Sequence, residues 1–202
     1  MRIAVPEQAL KTYNYKGAAV ELVERPETVY AGRVLHAKSL EDGLDGDFGA
    51  RLEKERLEDF GRVAGQVRPE RDIHISINFW RPGKAALGFV FAREVTTQEQ
   101  PKGVDVYEMP ASLFLRMYSD RAAAKLLGKE ACEPWELFAY FRQKIMPKLG
   151  FVMAENGAQE IEIYGPGSHA RGWAYVPVQR KQRRLLFGFK RKSAPLHGAA
   201  EG

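Results

Sequence analysis

The chain alternates between two hydrophobic periods, one typical of strands and one typical of helices. Between residues 72 and 80, in DIHISINFW, apolar side chains occupy every second position, which predicts a strand with one apolar face. The turn RPGK leads into the apolar run ALGFVFAREV, so residues 72–95 predict a β-hairpin. Shorter apolar runs, separated by Arg25-Pro26-Glu27, predict one or two strands between residues 18 and 37.

A helical pattern lies between these strands. The turn-forming stretch SLEDGLDGD ends at Asp47, a residue type that favours a helix N-cap. The apolar side chains of the following segment, 48–67, recur at helical spacing, which predicts an amphipathic helix that ends at Arg68-Pro69. Those side chains are Leu57, Phe60, Ala64 and Val67.

The same order of elements begins again after the polar connection 96–103. Residues 104–120 predict a strand with Pro110 confined to its start. A second helix is predicted between Pro134 and Gly150, because proline suits the first helical turn and glycine suits the position after the last. EIEIY and WAYVPV, on either side of the turn-forming GPGSHARG, predict a closing hairpin.

Strand, helix, strand, strand therefore occurs twice. This pattern predicts an α+β fold built from a duplicated β-α-β-β unit with pseudo-twofold symmetry. We expect antiparallel sheets covered by helices on one side, with a ligand groove on the other. The predicted organisation is an N-terminal arm over 1–17, one domain over 18–179 with halves of about 18–95 and 104–179, and a C-terminal tail over 180–202.

The composition is that of an ordinary globular protein, with 45% hydrophobic and 28% charged residues among 202. The single cysteine, Cys132, has no intramolecular disulfide partner, and the four histidines lack the spacing of a metal site. We therefore predict no metal and no cofactor. The sequence contains no export signal or membrane span, which predicts a cytoplasmic protein.

The net charge of +5 is concentrated at one end of the chain. Residues 180–192, RKQRRLLFGFKRK, carry seven basic residues and no acid, and the rest of the chain has 24 basic against 26 acidic residues. Basic residues interleaved with apolar ones suit a nucleic-acid backbone or an acidic partner, and a solvated, frayed terminus is the alternative.

These pieces, in this order, resemble the GyrI-like effector-binding domains, which occur in AraC-type and MerR-type regulators and as stand-alone bacterial proteins. The resemblance covers most of residues 18–179, and no helix-turn-helix pattern precedes it. It rests on Glu24-Arg25-Pro26 with the run Val29 to Val34, and on GFVFAREV, MPASLFLRMYSD, PWELFAYF, IEIY and YVPV.

The resemblance implies a groove with an acidic anchor, and the matching residue is Glu162. Strand alternation places Tyr164 beside it and directs Ile161 and Ile163 to the opposite face, toward the helices. The other residues expected to line the groove are aromatic: Trp173, Tyr175, Phe89, Phe91 and Trp80. A carboxylate among aromatic rings favours flat, hydrophobic cations, whereas the alternative interpretation is a solvated strand carboxylate beside ordinary core residues.

Three functions follow as hypotheses. The first is a non-enzymatic protein that senses or sequesters amphipathic, cationic compounds, in keeping with multidrug binding and transcription regulation by the family the chain resembles. The second is a hydrolase of strained, cyclopropanoid genotoxic compounds, with Glu162 as general base. The third is a gyrase- or DNA-associated protein that acts through residues 180–192. The sequence contains no pairing of a nucleophile with a base, so binding is the favoured hypothesis.

Overall fold

The computed structural model describes residues 7–37, 60–79, 87–165 and 171–181. Within these ranges ten strands form one sheet in which all neighbouring strands are antiparallel. The strands are β1 Lys11–Tyr15, β2 Ala18–Arg25, β3 Thr28–Ala37, β4 Asp72–Ile77, β5 Leu87–Val95, β6 Asp105–Met109, β7 Ser112–Tyr118, β8 Phe151–Met153, β9 Glu160–Tyr164 and β10 Gly172–Arg180.

The helices of the described residues lie in the second half of the chain, apart from a short 3-10 turn over Phe60–Arg62. Helix α1 spans Arg121–Leu126, and the carboxylate of Asp120 caps it by accepting hydrogen bonds from two backbone amides. A longer helical segment follows, with α2 at Glu136–Tyr140, a π-helical stretch at Phe141–Ile145 and α3 at Met146–Leu149. None of the described helices is long and apolar enough to cross a membrane.

The strand order places three strands of the second half, β7, β10 and β9, between two groups of first-half strands, whereas β6 lies at the outer edge beside β3. It runs β1, β2, β7, β10, β9, β4, β5, β3, β6, with β8 paired to β10 outside this path. The closing hairpin of the second half, β9 and β10, therefore meets the 72–95 hairpin of the first half along β9 and β4. The fold is α+β with an antiparallel sheet, as the sequence predicts, and the internal duplication with its pseudo-twofold symmetry stays a prediction.

Each face of the sheet carries its own hydrophobic cluster. One cluster joins Leu115, Val176 and other strand residues to Phe138, Phe141 and Ile145 of the helical segment. The opposite face carries a second cluster built around Ile73, Ile75, Ile161, Ile163, Phe114 and Tyr175. Because Ile161 and Ile163 lie in this second cluster, the prediction that they point toward the helices is wrong for the helices described.

The groove side of the sheet also differs from the prediction. Ala174 lies directly opposite Glu162 in the β9–β10 ladder, and Ala174 belongs to the cluster that packs against the helices. Directly opposed residues of an antiparallel pair point to the same face. Glu162 therefore shares its face with the described helices, instead of lying on the side away from them.

Three further elements depart from the sequence analysis. Part of the expected N-terminal arm forms β1, which pairs with β2 through the two-residue turn Lys16-Gly17. Residues 104–120 form two strands, with β6 before Pro110 and β7 after it. The helix predicted over 48–67 lies mostly outside the described residues, but its end is wrong, because Gln66 forms a β-bridge with Val95.

Candidate ligand-binding site

Glu162 lies near the middle of the sheet, on the strand that joins the two halves of the chain. Its neighbours in the ladders are Ala174 on β10 and His74 on β4. Every residue of β9 is buried, and Glu162 is only 2% exposed. A strand with a carboxylate at a buried position is unusual, because a charged group loses its hydration there unless another group replaces the water.

The carboxylate of Glu162 is only half satisfied by the described residues. The Tyr164 hydroxyl donates a hydrogen bond to Oε2, whereas Oε1 is buried and accepts no hydrogen bond from any residue that the structure describes. Burial raises the pKa of Glu162 to about 8, and the nearby carboxylates of Glu133 and Glu160 act in the same direction, while the Tyr164 hydrogen bond opposes them. The group is thus poised to exchange a proton near neutral pH.

Aromatic rings surround His74, the residue on β4 that lies opposite Glu162 in the β4–β9 ladder. The centroid of the His74 ring lies 4.4 Å from that of Phe91, 4.7 Å from that of Tyr164 and 5.7 Å from that of Phe89. The register accounts for this grouping, since Phe91 is paired with His74, which is itself paired with Glu162. The four ring systems and the Glu162 carboxylate therefore share a single patch of the sheet.

Glu160, two residues before Glu162, has a different electrostatic environment. It is 1% exposed, and burial raises its pKa to about 7 although Arg142 opposes the shift. Arg142, from the π-helical stretch, donates a hydrogen bond to this carboxylate and forms an ion pair with it. The ion pair fixes the helical segment to the sheet. Glu162 forms no comparable ion pair with the residues that the structure describes.

The structure brings together four of the seven residues predicted for the groove and separates two others. Glu162, Tyr164, Phe89 and Phe91 share one face of the sheet. Trp173 and Tyr175 lie on the other face, because they oppose Ile163 and Ile161 in the ladder instead of Glu162. Trp80 lies outside the described residues.

Sequence reasoning missed His74. The strict alternation of DIHISINFW already placed it on the face away from the isoleucines, but a single histidine on a strand carries no signal of its own. Only the pairing of β4 with β9 shows that this position faces Glu162.

Cys132 and the basic segment 180–192 are two further features of the sequence. Cys132 is buried, and burial raises its pKa to about 11, so its thiol is held protonated at neutral pH.

Of the basic segment 180–192, the structure describes Arg180 and Lys181. Arg180 is the last residue of β10, and its guanidinium lies 4.2 Å from the centroid of the Phe151 ring on β8. The described residues include no cluster of three His, Cys, Asp or Glu side chains that could hold a metal ion.

Two solved structures share this fold at low sequence identity. SAV2435 bound to tetraphenylphosphonium is 11% identical with a TM-score of 0.54, and the match covers 79% of this chain and 93% of that one. A protein from Staphylococcus aureus MU50, described as a bacterial transcription regulation protein, is 12% identical with a TM-score of 0.52, and the match covers 81% of this chain and 99% of that one. No protein-family model and no curated protein matches the sequence.

Proposed function

We propose that this chain, whose fold is that of the GyrI-like effector-binding domains, binds small hydrophobic cations in a groove anchored by Glu162. The observation that carries the proposal is the buried Oε1 atom of Glu162, which accepts no hydrogen bond from the described residues. Ionisation of a buried carboxylate in this state requires a large desolvation free energy. A cation that enters the site and pairs with the carboxylate offsets this free energy.

The surroundings of Glu162 favour a hydrophobic cation over an inorganic one. The rings of Tyr164, His74, Phe91 and Phe89 present apolar and π surface, and each ring face that meets a cation contributes about 0.5–2 kcal/mol. The described residues offer no cluster of carboxylates that could replace the water around a metal ion. The preferred ligand is therefore a delocalised positive charge with aromatic or aliphatic substituents.

The fold supports this proposal by analogy. A protein of the same fold, SAV2435, has a solved structure bound to tetraphenylphosphonium, which is a cation of this description. The likeness at 11% identity concerns the fold, so the ligand class for this chain is argued from Glu162 and its neighbours.

Isothermal titration calorimetry with tetraphenylphosphonium tests the proposal, with triphenylphosphine oxide as a neutral compound of similar shape. We expect saturable binding of the cation at pH 8 and at least tenfold weaker binding of the neutral compound. Glu162→Gln keeps the size of the side chain and removes the charge, so it should lower the affinity for the cation by at least tenfold. Glu155→Gln, at an exposed position, is the matched control and should leave the affinity unchanged.

Two results would count against the proposal. If Glu162→Gln binds the cation as tightly as the parent protein, Glu162 is not the anchor. If the neutral compound binds as tightly as the cation, the groove recognises shape and not charge.

A hydrolase that uses Glu162 as a general base is the second candidate. The pKa of about 8 favours it, because a base that titrates near the working pH transfers protons most effectively. Incubation of the purified protein with a cyclopropanoid alkylating compound distinguishes the two candidates. Ring-opened, hydrated product that is lost in Glu162→Gln supports the hydrolase, and recovery of intact compound supports binding alone.

A further inference from the structure

The face of the sheet opposite Glu162 contains two arginines that are almost completely buried. The side chains of Arg25 on β2 and Arg116 on β7 are 4% and 5% exposed. Arg25 donates a hydrogen bond to the Tyr30 hydroxyl at 2.8 Å, and Arg116 donates one to the Tyr175 hydroxyl at 3.1 Å. A pair of buried guanidinium groups requires negative charge close by, because each group has given up its hydration.

Glu7 places its carboxylate between the two guanidinium groups. Its Oε1 lies 2.7 Å from an Arg25 nitrogen, and its Oε2 lies 3.2 Å from an Arg116 nitrogen. The Tyr175 hydroxyl also lies 3.2 Å from Oε2, and Arg116 donates a further hydrogen bond to the Glu7 backbone carbonyl at 3.0 Å. Oε2 accepts hydrogen bonds from Arg116 and Tyr175, whereas Oε1 forms an ion pair with Arg25 that lacks hydrogen-bond geometry. The Glu7 side chain is only 6% exposed.

The charges around the arginines show that the site requires this one carboxylate. Glu21, on the strand beside β7, already pairs with Arg116 at 2.7 Å. Glu94 reaches Arg25 only at 4.0 Å and is itself 21% exposed. Without Glu7, Arg25 would keep its hydrogen bond to the Tyr30 hydroxyl, but the distant Glu94 would be its one carboxylate partner among the described residues.

The residues that bind the carboxylate and the residue that supplies it belong to different parts of the fold. Arg25, Tyr30, Arg116 and Tyr175 come from four strands of the sheet, and the ladders hold them in place. Glu7 lies in the segment before the first strand. This segment joins the sheet at Leu10, whose backbone amide donates a hydrogen bond to the Leu22 carbonyl at 2.8 Å. The sheet forms the site, and the N-terminal segment fills it.

We propose that Arg25, Arg116 and Tyr175 form a second binding site, specific for a carboxylate, and that Glu7 is its built-in ligand. The site lies on the opposite face of the sheet from Glu162, so it does not depend on the function proposed for that residue. Its ligand class is a small monocarboxylate, since one oxygen of a single carboxylate group pairs with the Arg25 guanidinium while the other accepts hydrogen bonds from Arg116 and Tyr175.

Removal of the Glu7 carboxylate and its replacement by a free one tests the site. Glu7→Ala deletes a CH₂–COO⁻ group, which is the size of acetate. We expect the variant to unfold roughly 5–10 °C below the parent protein in sodium chloride, because a buried arginine loses its partner. Sodium acetate at equal ionic strength should restore most of this difference, with a saturable dependence on acetate concentration.

Glu7→Gln separates binding at the site from a general effect of the salt. Its amide fills the space but carries no charge, so we expect a lowered unfolding temperature that acetate does not restore. Glu27→Ala, at an exposed position between β2 and β3, should behave like the parent protein in both salts.

If Glu7→Ala does not fold in chloride, dialysis into acetate becomes the measurement, and recovery of folded protein supports the site. The proposal fails if acetate stabilises Glu7→Ala and Glu7→Gln equally, if it does not stabilise or refold Glu7→Ala, or if Glu7→Ala is as stable as the parent protein.

Discussion

The Tyr164 hydroxyl donates a hydrogen bond to the carboxylate of Glu162, two positions earlier on the same face of β9. This bond stabilises the ionised carboxylate and lowers its pKa, against the burial that raises it to about 8. Tyr164→Phe should therefore move the pKa of Glu162 upward by about one to two pH units, since a hydrogen bond to a charged group contributes roughly 1.5–3 kcal/mol.

Carbon-13 NMR of the glutamate side-chain carboxyl groups, recorded as a function of pH, measures this shift directly. Tyr13→Phe removes a hydroxyl on β1, far along the sheet order from β9, and should leave the titration of Glu162 where it is. A Glu162 pKa that is unchanged or lower in Tyr164→Phe would contradict the role assigned to the hydrogen bond.

The affinity for a permanent cation should depend on pH below about 8. The cation pairs with the ionised carboxylate of Glu162. Below the pKa of Glu162, the carboxyl group of the empty site is protonated, and this proton must leave before the cation binds. We expect the dissociation constant of tetraphenylphosphonium to rise about tenfold for each pH unit below 8 and to level off above it. Calorimetry in buffers of different ionisation enthalpy should detect the release of about one proton per cation at pH 6.5 to 7. An affinity that is constant from pH 6 to pH 8 would refute this coupling.

The stability of the empty protein should show the opposite trend. Burial raises the pKa of Glu162 from 4.5 to about 8, so between these values the folded state holds a proton that the unfolded state has released. The contribution of Glu162 to the free energy of unfolding therefore falls as pH rises through this window.

Glu162→Gln does not titrate and should gain stability over the parent protein by an amount on the order of 3 kcal/mol between pH 5 and pH 8. Urea unfolding of both proteins at each pH measures this difference. The titration of Glu160 is common to both and largely cancels. A difference that is independent of pH would show that Glu162 is ionised throughout.

Gly32 makes room for the strand that carries Phe91. A Cβ atom at residue 32 would lie 1.9 Å from the Phe91 carbonyl oxygen, which is backbone and cannot move without displacing β5 from β3. Gly32→Ala should lower the free energy of unfolding by about 2–4 kcal/mol and weaken cation binding, because Phe91 moves with its strand.

Gly61→Ala is the matched control, since its Cβ would meet no atom within 4 Å. Chemical denaturation should place this variant within about 0.5 kcal/mol of the parent protein. Equal losses for the two variants would contradict the steric explanation for Gly32.

The predictions from sequence succeeded within single strands and failed between them. Alternation along IEIY correctly separated Glu162 from Ile161 and Ile163, because the face of each strand residue follows from a period of two. Which residue of β10 lies opposite Glu162 depends on register, and a slip of one position exchanges the faces. Ala174 holds that position, so Trp173 and Tyr175 face the second cluster.

The first hairpin, part of which the sequence analysis assigned to an N-terminal arm, has a signal in its own residues. In TYNYKGAAV, Tyr13 and Tyr15 alternate with polar residues and precede a Lys-Gly pair. Both turn residues have positive φ, 50° at Lys16 and 88° at Gly17, as a tight hairpin turn requires. Glycine at the second position is the signal for this turn, whereas lysine at the first weakens it because side chains disfavour positive φ.

The position of the second-half strands in the sheet has a consequence for how the protein is made. Strands β7, β10 and β9 stand between β2 and β4, so the early strands form two separate groups until residues 112–180 have been synthesised. Pairs such as Val23 with Phe114 and Ile73 with Ile163 join distant parts of the chain, which slows folding. A nascent chain that stops before β10 would leave β7 and β9 without the strand that joins them, and exposed edges of this kind recruit other chains. Completion of the C-terminal hairpin is therefore the step that should separate productive folding from aggregation.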